Sequence, residues 1–168
     1  MKKFKLYHKK YIKTFPNEIP LHQITNNIFL GNQIASSNIN FIKSNNITHI
    51  INVTKNIPNS FNDIIYLNIP INTSNLNDNL DHLFDLSNKF FSNIIKNNQK
   101  VLIHCKYGHT RSALFLAIFL IYYYNYKPDY VINLIRNIRP NTLLRLNVIN
   151  KIYDYYNYQN RQSCFYIK

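Results

Sequence analysis

One segment of the 168-residue chain combines several side chains that can do chemistry together: His104-Cys105-Lys106-Tyr107-Gly108-His109-Thr110-Arg111-Ser112. It follows the short apolar run Val101-Leu102-Ile103 and precedes a long apolar stretch. A loop that leads from a buried strand into a helix directs its backbone N–H groups, and the positive end of the helix, towards one point. The segment therefore predicts an anion site with a thiol at its base.

Within this segment Cys105 is the predicted nucleophile. The amides that bind the anion would also stabilise its thiolate and lower the pKa of the thiol. Arg111, six residues later, can grip two phosphate oxygens with its planar guanidinium, which a lysine cannot do. Gly108 permits a positive φ and a close backbone approach, and Ser112 can donate a hydrogen bond to the sulfur when the thiolate leaves. This set predicts phosphoryl transfer through a covalent intermediate.

The remaining loop residues are expected to complete the phosphate site. The predicted phosphate-binding residues are Lys106, Tyr107, Gly108, His109, Thr110 and Arg111. His104 is expected to orient Cys105 by hydrogen bonding at the strand end. His109 is expected at the pocket rim rather than in proton transfer, and Tyr107 either flanks the substrate or packs. The alternative is a buried structural cysteine, which the combined His-Cys, central Gly and Arg-Ser argue against.

The elements that position this loop follow from hydrophobic periodicity. Strands are predicted at 28–31, 47–53, 64–69 and 101–103. Helices are predicted at 34–45 with Ile39 and Ile42 inward, from a cap at Asp78 or Asn79 to about 96, from 111 to about 125, from 128 to about 139, and at about 142–156. This alternation predicts an α/β fold: a single compact domain with a small central, mostly parallel sheet flanked by helices.

Charge and composition narrow the partners. Lys and Arg number 20 against 7 Asp and Glu, a net charge of +13, which favours phosphorylated protein, nucleic acid or acidic lipid. The two cysteines, Cys105 and Cys164, exclude a disulfide scaffold and a four-cysteine zinc site, and they fit a reducing compartment. We predict no metal, no organic cofactor, no signal peptide and no transmembrane segment, since the apolar run 113–124 is about half the ~20 residues that a membrane span needs.

The segment from His104 to Ser112 resembles the signature of the dual-specificity branch of the protein tyrosine phosphatases, His-Cys-x-x-Gly-x-x-Arg-Ser/Thr. Ile28-Phe29-Leu30-Gly31 followed by Ala35-Ser36, and Ile47-Thr48-His49-Ile50-Ile51-Asn52-Val53-Thr54, resemble the early strands of that family. The resemblance implies a compact phosphatase with a shallow pocket, open to phosphotyrosine and to phosphoserine or phosphothreonine in proteins.

Within the family the chain resembles the poxvirus members most closely. The Lys-rich start with Leu6-Tyr7 and the run Thr25-Asn26-Asn27-Ile28-Phe29-Leu30-Gly31-Asn32 carry this resemblance. It implies a viral protein in the cytoplasm of the host or in the virion.

The chain departs from the family at the general acid. The family uses an aspartate on the loop after the strand that ends near Ile69, but that register holds Thr73 or Ser74 here. Asp78 is the nearest acid and the candidate general acid, although it fits a helix N-cap better. This departure leaves two alternatives open: an RNA 5′-triphosphatase, whose pyrophosphate leaving group needs no protonation, and a weakly active module that binds phosphoproteins.

The first twenty residues form a separate basic segment. Residues 1–13 carry six lysines, with Phe4, Tyr7 and Tyr11 at helical spacing. The family resemblance favours a homodimer through residues 1–15, with an exchanged helix, over a basic tail. We therefore predict a basic segment at 1–20, a catalytic domain at 21–158 and a tail at 159–168.

Three arginines and one cysteine are assigned no role. Arg136, Arg139 and Arg145 are expected to be solvated helix charges rather than a basic rim of the site. Cys164 is expected to be a bystander thiol.

Overall fold

The computed structural model describes residues 19–72 and 81–165, and side chains for 19–72 and 87–161. Its centre is a five-stranded sheet in the order β1-β2-β5-β3-β4. The strands are β1 (Leu21–Gln23), β2 (Ile28–Gly31), β3 (His49–Asn52), β4 (Ile65–Asn68) and β5 (Val101–His104). All neighbouring pairs run parallel except β1 and β2. The predicted α/β fold with a mostly parallel sheet is confirmed, and β1 is an antiparallel edge strand that the sequence pattern did not reveal.

Six helices of the described ranges surround this sheet. They are α1 (Gln33–Ser36), α2 (Ile39–Ser44), α3 (Asp81–Lys96), α4 (Arg111–Tyr124), α5 (Pro128–Ile138) and α6 (Leu146–Phe165). The predicted cap of α3 at Asp78 or Asn79 lies outside the described residues. None of these helices combines the length and the hydrophobicity of a membrane-spanning segment.

The prediction of one helix over 34–45 is wrong, because two asparagines begin two separate helices. The side chain of Asn32 accepts hydrogen bonds from two amides of α1, and that of Asn38 caps α2 in the same manner. A capping side chain satisfies amides that have no partner within the helix. The break also rotates the second helix, so that Ile39 is 41% exposed instead of pointing inward, whereas Ile42 is buried as predicted.

The predicted last helix at 142–156 is wrong at both ends. Helix α6 starts at Leu146 and continues to Phe165, so residues 159–165 of the predicted tail are helical. The backbone just before α6 is not helical as predicted, and the N–H of Leu143 donates instead to the carbonyl of His109 at 3.1 Å. That bond ties the segment before α6 to the loop after β5.

The hydrophobic core lies on both faces of the sheet because successive strand residues point to opposite faces. In β5, Leu102 packs with the cluster beside α1 and α2, whereas Val101 and Ile103 pack with the larger cluster around α4. Residues 112–121 of α4 are all buried. This confirms the prediction that the apolar run after Arg111 is a buried helix.

The position of β5 at the centre of the sheet decides where the site forms. Its neighbours β2 and β3 run parallel to it, so the carboxyl ends of all three strands lie at one edge. Ligand sites of open α/β sheets form at this edge. Residues 105–110 leave β5 there and lead directly into α4.

Candidate active site

The thiol of Cys105 lies at the base of the loop between β5 and α4. The residue is only 3% exposed. Its sulfur accepts hydrogen bonds from the backbone N–H of Gly108 at 3.2 Å and from the hydroxyl of Ser112 at 3.3 Å. The predicted contact between Ser112 and the sulfur is therefore present, and a backbone amide of the loop points inward beside it.

The carbonyl groups around this loop are paired with donors from the surrounding protein. The carbonyl groups of the strand end and of the two loop ends accept hydrogen bonds from backbone N–H groups. The N–H of Val53 donates to the carbonyl of His104 at 3.1 Å, and that of Gln33 to the carbonyl of Lys106 at 3.3 Å. The N–H of Leu143 donates to the carbonyl of His109 at 3.1 Å, and that of Leu114 to the carbonyl of Thr110 at 2.8 Å. Because these carbonyls bond away from the thiol, the amides between them can be directed towards it. Buried backbone groups need such partners.

The two carbonyls in the middle of the loop are held by one side chain, Arg139. Its Nε donates to the carbonyl of Gly108 at 3.0 Å and its second terminal nitrogen to that of Tyr107 at 3.3 Å. The other terminal nitrogen contacts the carbonyl of Ile19 at 2.9 Å and Nδ1 of His22 at 2.7 Å. One guanidinium thus joins the loop to the chain around β1.

The prediction that Arg139 is a solvated helix charge is wrong, since it is 1% exposed. The buried residues of α5 include Pro128, Val131, Ile132 and Ile135. Position 139 continues their spacing of three and four residues. This periodicity was the signal that could have placed Arg139 on the buried side.

The close approach at Gly108 explains why glycine stands there. Its φ is +73°, the left-handed region in which other residues are strained. A Cβ at this position would lie 2.7 Å from the carbonyl oxygen of Gly31 and 2.9 Å from the guanidinium of Arg139. The predicted positive φ is confirmed, and the tight contact is with β2.

The surroundings of Cys105 favour its thiolate. Burial raises the pKa of the thiol, but the Ser112 hydroxyl and amide, the Arg111 charge and the Gly108 N–H together outweigh burial, so that the pKa falls below its ordinary value. Hydrogen bonds and a nearby cation stabilise the charged form. The thiol is therefore placed as a nucleophile rather than as an inert core residue.

The neighbouring His104 is held neutral. Burial lowers its pKa to about 4, with a further lowering by the Arg111 charge and an opposing effect of a hydrogen bond to the Cys105 backbone. Its Nδ1 is buried and has no hydrogen-bond partner in the described part of the chain. The orienting role predicted for His104 stays a prediction.

A pocket of about 440 Å³ opens above the sulfur. The described residues that line it are Cys105, Tyr107, His109, Thr110, Arg111, Leu143, Arg145, Asn147 and Val148. Five of the predicted site residues belong to this set. Lys106 and Gly108, which were also predicted to bind phosphate, do not line it, and the Lys106 ammonium lies 5.2 Å from the centre of the Tyr107 ring.

The pocket wall beside the loop is aromatic. His109 is 3% exposed and Tyr107 is 36% exposed, and their rings stack with centroids 6.2 Å apart. His109 is thus buried against the pocket, while Tyr107 combines exposure with a stacking contact. The wall can contact a flat or apolar part of a ligand.

The residues considered for the general acid are not among the described ones. Thr73, Ser74 and Asp78 all lie outside the described residues, and none of the described residues that line the pocket is a carboxylate. Within the described ranges, no three His, Cys, Asp or Glu residues are grouped to hold a metal ion. The predicted absence of cofactors stays a prediction.

The comparison of residues 28–158 with family models gives a match to "Dual specificity phosphatase, catalytic domain". The chain is 32% identical over 117 residues to mouse dual specificity protein phosphatase 18, covering 66% of this chain and 62% of that protein. It is 28% identical over 136 residues to human dual specificity protein phosphatase 9, covering 79% and 35%. The chain thus spans less than two thirds of the length of these relatives.

Solved structures share the fold. The crystal structure of human DUSP28 superposes with a TM-score of 0.76 at 18% identity, covering 85% of this chain and 97% of that one. The crystal structure of a mouse putative dual specificity phosphatase complexed with zinc tungstate superposes with a TM-score of 0.76 at 19% identity, covering 86% of this chain and 91% of that one.

The Ser112 hydroxyl gives a direct test of how the site holds its thiolate. In Ser112→Ala, Cys105 loses a hydrogen bond that lowers its pKa, so its thiolate forms at higher pH. The rate of alkylation by iodoacetamide against pH measures this, because only the thiolate reacts. We expect the midpoint to move to higher pH in Ser112→Ala.

Ser87→Ala is the matched control, since Ser87 is also a buried serine but lies on α3. Its alkylation midpoint should equal that of the unmodified chain. An unchanged midpoint in Ser112→Ala would contradict the assigned hydrogen bond.

Proposed function

The chain belongs to the dual specificity phosphatase family, and on that premise we propose that it hydrolyses phosphate monoesters of tyrosine, serine and threonine in proteins. The observation that carries the proposal is the Cys105 sulfur, which lies at the pocket base with the Gly108 amide and the Ser112 hydroxyl bonded to it. Arg111 begins α4 and lines the same pocket. A thiolate, inward amides and a guanidinium are the groups that phosphoryl transfer needs.

The reaction has two displacements at phosphorus. The Cys105 thiolate attacks phosphorus, and the bond between phosphorus and the ester oxygen breaks. The alkoxide or phenolate that leaves takes a proton from water. Water then attacks the phosphocysteine, the sulfur–phosphorus bond breaks, and inorganic phosphate and the thiolate are released. Arg111 and the amides of residues 106–111 hold the phosphoryl oxygens, and Ser112 stabilises the returning thiolate.

The same site supports a second candidate, hydrolysis of RNA 5′-triphosphate ends. None of the described residues that line the pocket is a carboxylate, and the RNA 5′-diphosphate that leaves when the terminal phosphoryl group is attacked needs no protonation. The net charge of +13 also favours a polyanion.

A third candidate function is capture of phosphoproteins with little turnover. Rates on a phosphotyrosine peptide, a phosphoserine peptide and a triphosphate RNA, measured in one assay, separate the three.

Replacement of the nucleophile tests the covalent mechanism. Cys105→Ser should lose all measurable turnover and still bind a phosphate analogue, because serine has nearly the same shape but is a weak nucleophile without an adjacent base. Cys164→Ser is the matched control and should keep full activity. Turnover that persists in Cys105→Ser would remove the phosphocysteine intermediate.

The general acid is proposed to be missing from the usual register. Asp78→Asn should then change kcat on a phosphotyrosine peptide by less than about tenfold, whereas a positioned acid contributes about 10²–10⁴-fold. The measurement is kcat against pH. A loss above about a hundredfold, with loss of the alkaline limb that a protonated acid produces, would identify Asp78 as the acid.

Residues 1–15 are proposed to form a homodimer by exchange of an N-terminal helix. The support is the resemblance to the poxvirus members, and on the same ground we propose a location in the host cytoplasm or the virion. A second support is that a short isolated helix is marginal in water and needs a surface. The division into 1–20, 21–158 and 159–168 belongs to the same proposal.

Sedimentation at micromolar concentration tests the dimer. The full chain should run as a dimer and a chain starting at Ile19 as a monomer. That start keeps the Ile19 carbonyl, which Arg139 binds, so the loop retains this contact. Two monomers would end the dimer proposal.

A further inference from the structure

Three arginines lie near the end of α5 and the start of α6, and the structure uses them differently. Arg139 is buried under the loop. Arg136 is exposed and donates to the carbonyl of Leu144 at 3.3 Å. Arg145 is exposed, lines the pocket, and its guanidinium makes no hydrogen bond or ion pair with any described residue. Only Arg145 of the three is available to a ligand.

The pocket is therefore lined by two arginines: Arg111, whose charge acts on the Cys105 thiolate, and Arg145, whose guanidinium has no partner in the described ranges. Arg111 is the first residue of α4, and Arg145 directly precedes α6. Neither helix has an acidic residue in its first turn. A cation at the positive end of a helix is unfavourable, because the helix dipole repels it. Bound negative charge at both places would remove this repulsion.

One phosphate monoester accounts for only the first of these cations. The loop amides and Arg111 surround the position above the Cys105 sulfur, where the scissile phosphate binds in the proposed function. Arg145 lines the same pocket, together with Leu143 and Val148. A second negative group on the substrate would pair with the Arg145 guanidinium.

The other residues that line the pocket indicate the kind of substrate. They include the aromatic Tyr107 and His109 rings and the half-exposed, aliphatic Leu143. Lys106 lies over the Tyr107 ring and does not line the pocket. A pocket that combines two cations with aromatic and aliphatic side chains fits a peptide with two charged groups better than it fits the continuous charge of an RNA triphosphate.

We propose that Arg145 is a specificity-determining residue that binds a second anionic group, a carboxylate or a phosphate, on a residue close to the phosphorylated one in a peptide substrate. The proposal rests on the proposed phosphatase function and names the substrates that it prefers. Arg145 donates to the second group, while Arg111 and the loop hold the phosphate that is removed.

Matched peptides test the proposal. Three phosphotyrosine peptides differ only at the adjacent residue, which is Asn, Asp or phosphoserine, and kcat/KM is measured on each. Because exposed ion pairs are weak and bidentate ones stronger, we expect the unmodified protein to prefer the charged peptides by about three- to tenfold. Arg145→Gln should reduce this ratio to about one.

Arg161→Gln is the matched control. It removes the same charge from an exposed position of α6, about 24 Å along the helix from Arg145 at 1.5 Å per residue. The preference should persist in this variant. A preference for Asp and phosphoserine alike supports a general anion subsite, and one for phosphoserine alone supports a phosphate subsite.

Three results would overturn the proposal. The unmodified protein could show no preference for the charged peptides, or the preference could survive in Arg145→Gln. In the third, Arg145→Gln lowers kcat/KM on the Asn peptide as much as on the charged peptides. If Arg145→Gln raises KM for a triphosphate RNA and for none of the peptides, the proposal is also overturned, in favour of nucleic acid.

Binding separates this inference from the proposed function. Calorimetry with Cys105→Ser and the same three peptides measures affinity without turnover. If the unmodified protein hydrolyses none of the peptides, the proposed function fails. The anion subsite is still supported if the protein binds the charged peptides more tightly and Arg145→Gln abolishes this difference. If the three peptides bind equally well, the proposed subsite is overturned.

Discussion

The structure depends on the pairing of the carbonyl groups of one loop. For the amides of residues 106–111 to point at an anion, the carbonyls between them must point into the protein, where each needs a donor. Those donors come from α1, from α4, from the segment before α6 and from the Arg139 side chain. The loop can hold its shape only if all these elements are in place, which links the anion site to the whole fold.

Arg139 is the most demanding part of this arrangement. A buried guanidinium is costly unless its N–H groups are bonded, and those of Arg139 bond to the carbonyls of Gly108, Tyr107 and Ile19 and contact His22. A lysine, with one nitrogen, could not reach carbonyls that lie in different directions. The planar guanidinium therefore connects the loop to the first strand.

The same geometry determines the chemistry of the thiol. Burial alone would keep Cys105 protonated, yet the Ser112 and Gly108 donors and the Arg111 charge lower its pKa. His104, one residue earlier, is kept neutral by its burial and by the same arginine. The pKa values of two adjacent titratable residues are thus lowered for different reasons: hydrogen-bond donors and a cation stabilise the Cys105 thiolate, whereas burial disfavours the charged form of His104.

The sequence by itself determined what depends on local spacing. The strand and helix around Cys105, the positive φ of Gly108 and the contact of Ser112 with the sulfur follow from residues at most seven positions apart. One prediction from local spacing was wrong: the single helix predicted at 34–45 is two helices, because Asn32 and Asn38 each cap the start of one.

Only the tertiary structure decided which of three similar arginines is buried, which is bonded at the surface and which faces the pocket. Arg139 contacts Ile19, 120 residues away in the chain, and no local pattern specifies the partner of such a contact. The spacing of α5 indicated an inward direction for position 139, but the carbonyls that make a buried charge stable there come together only when the chain has folded.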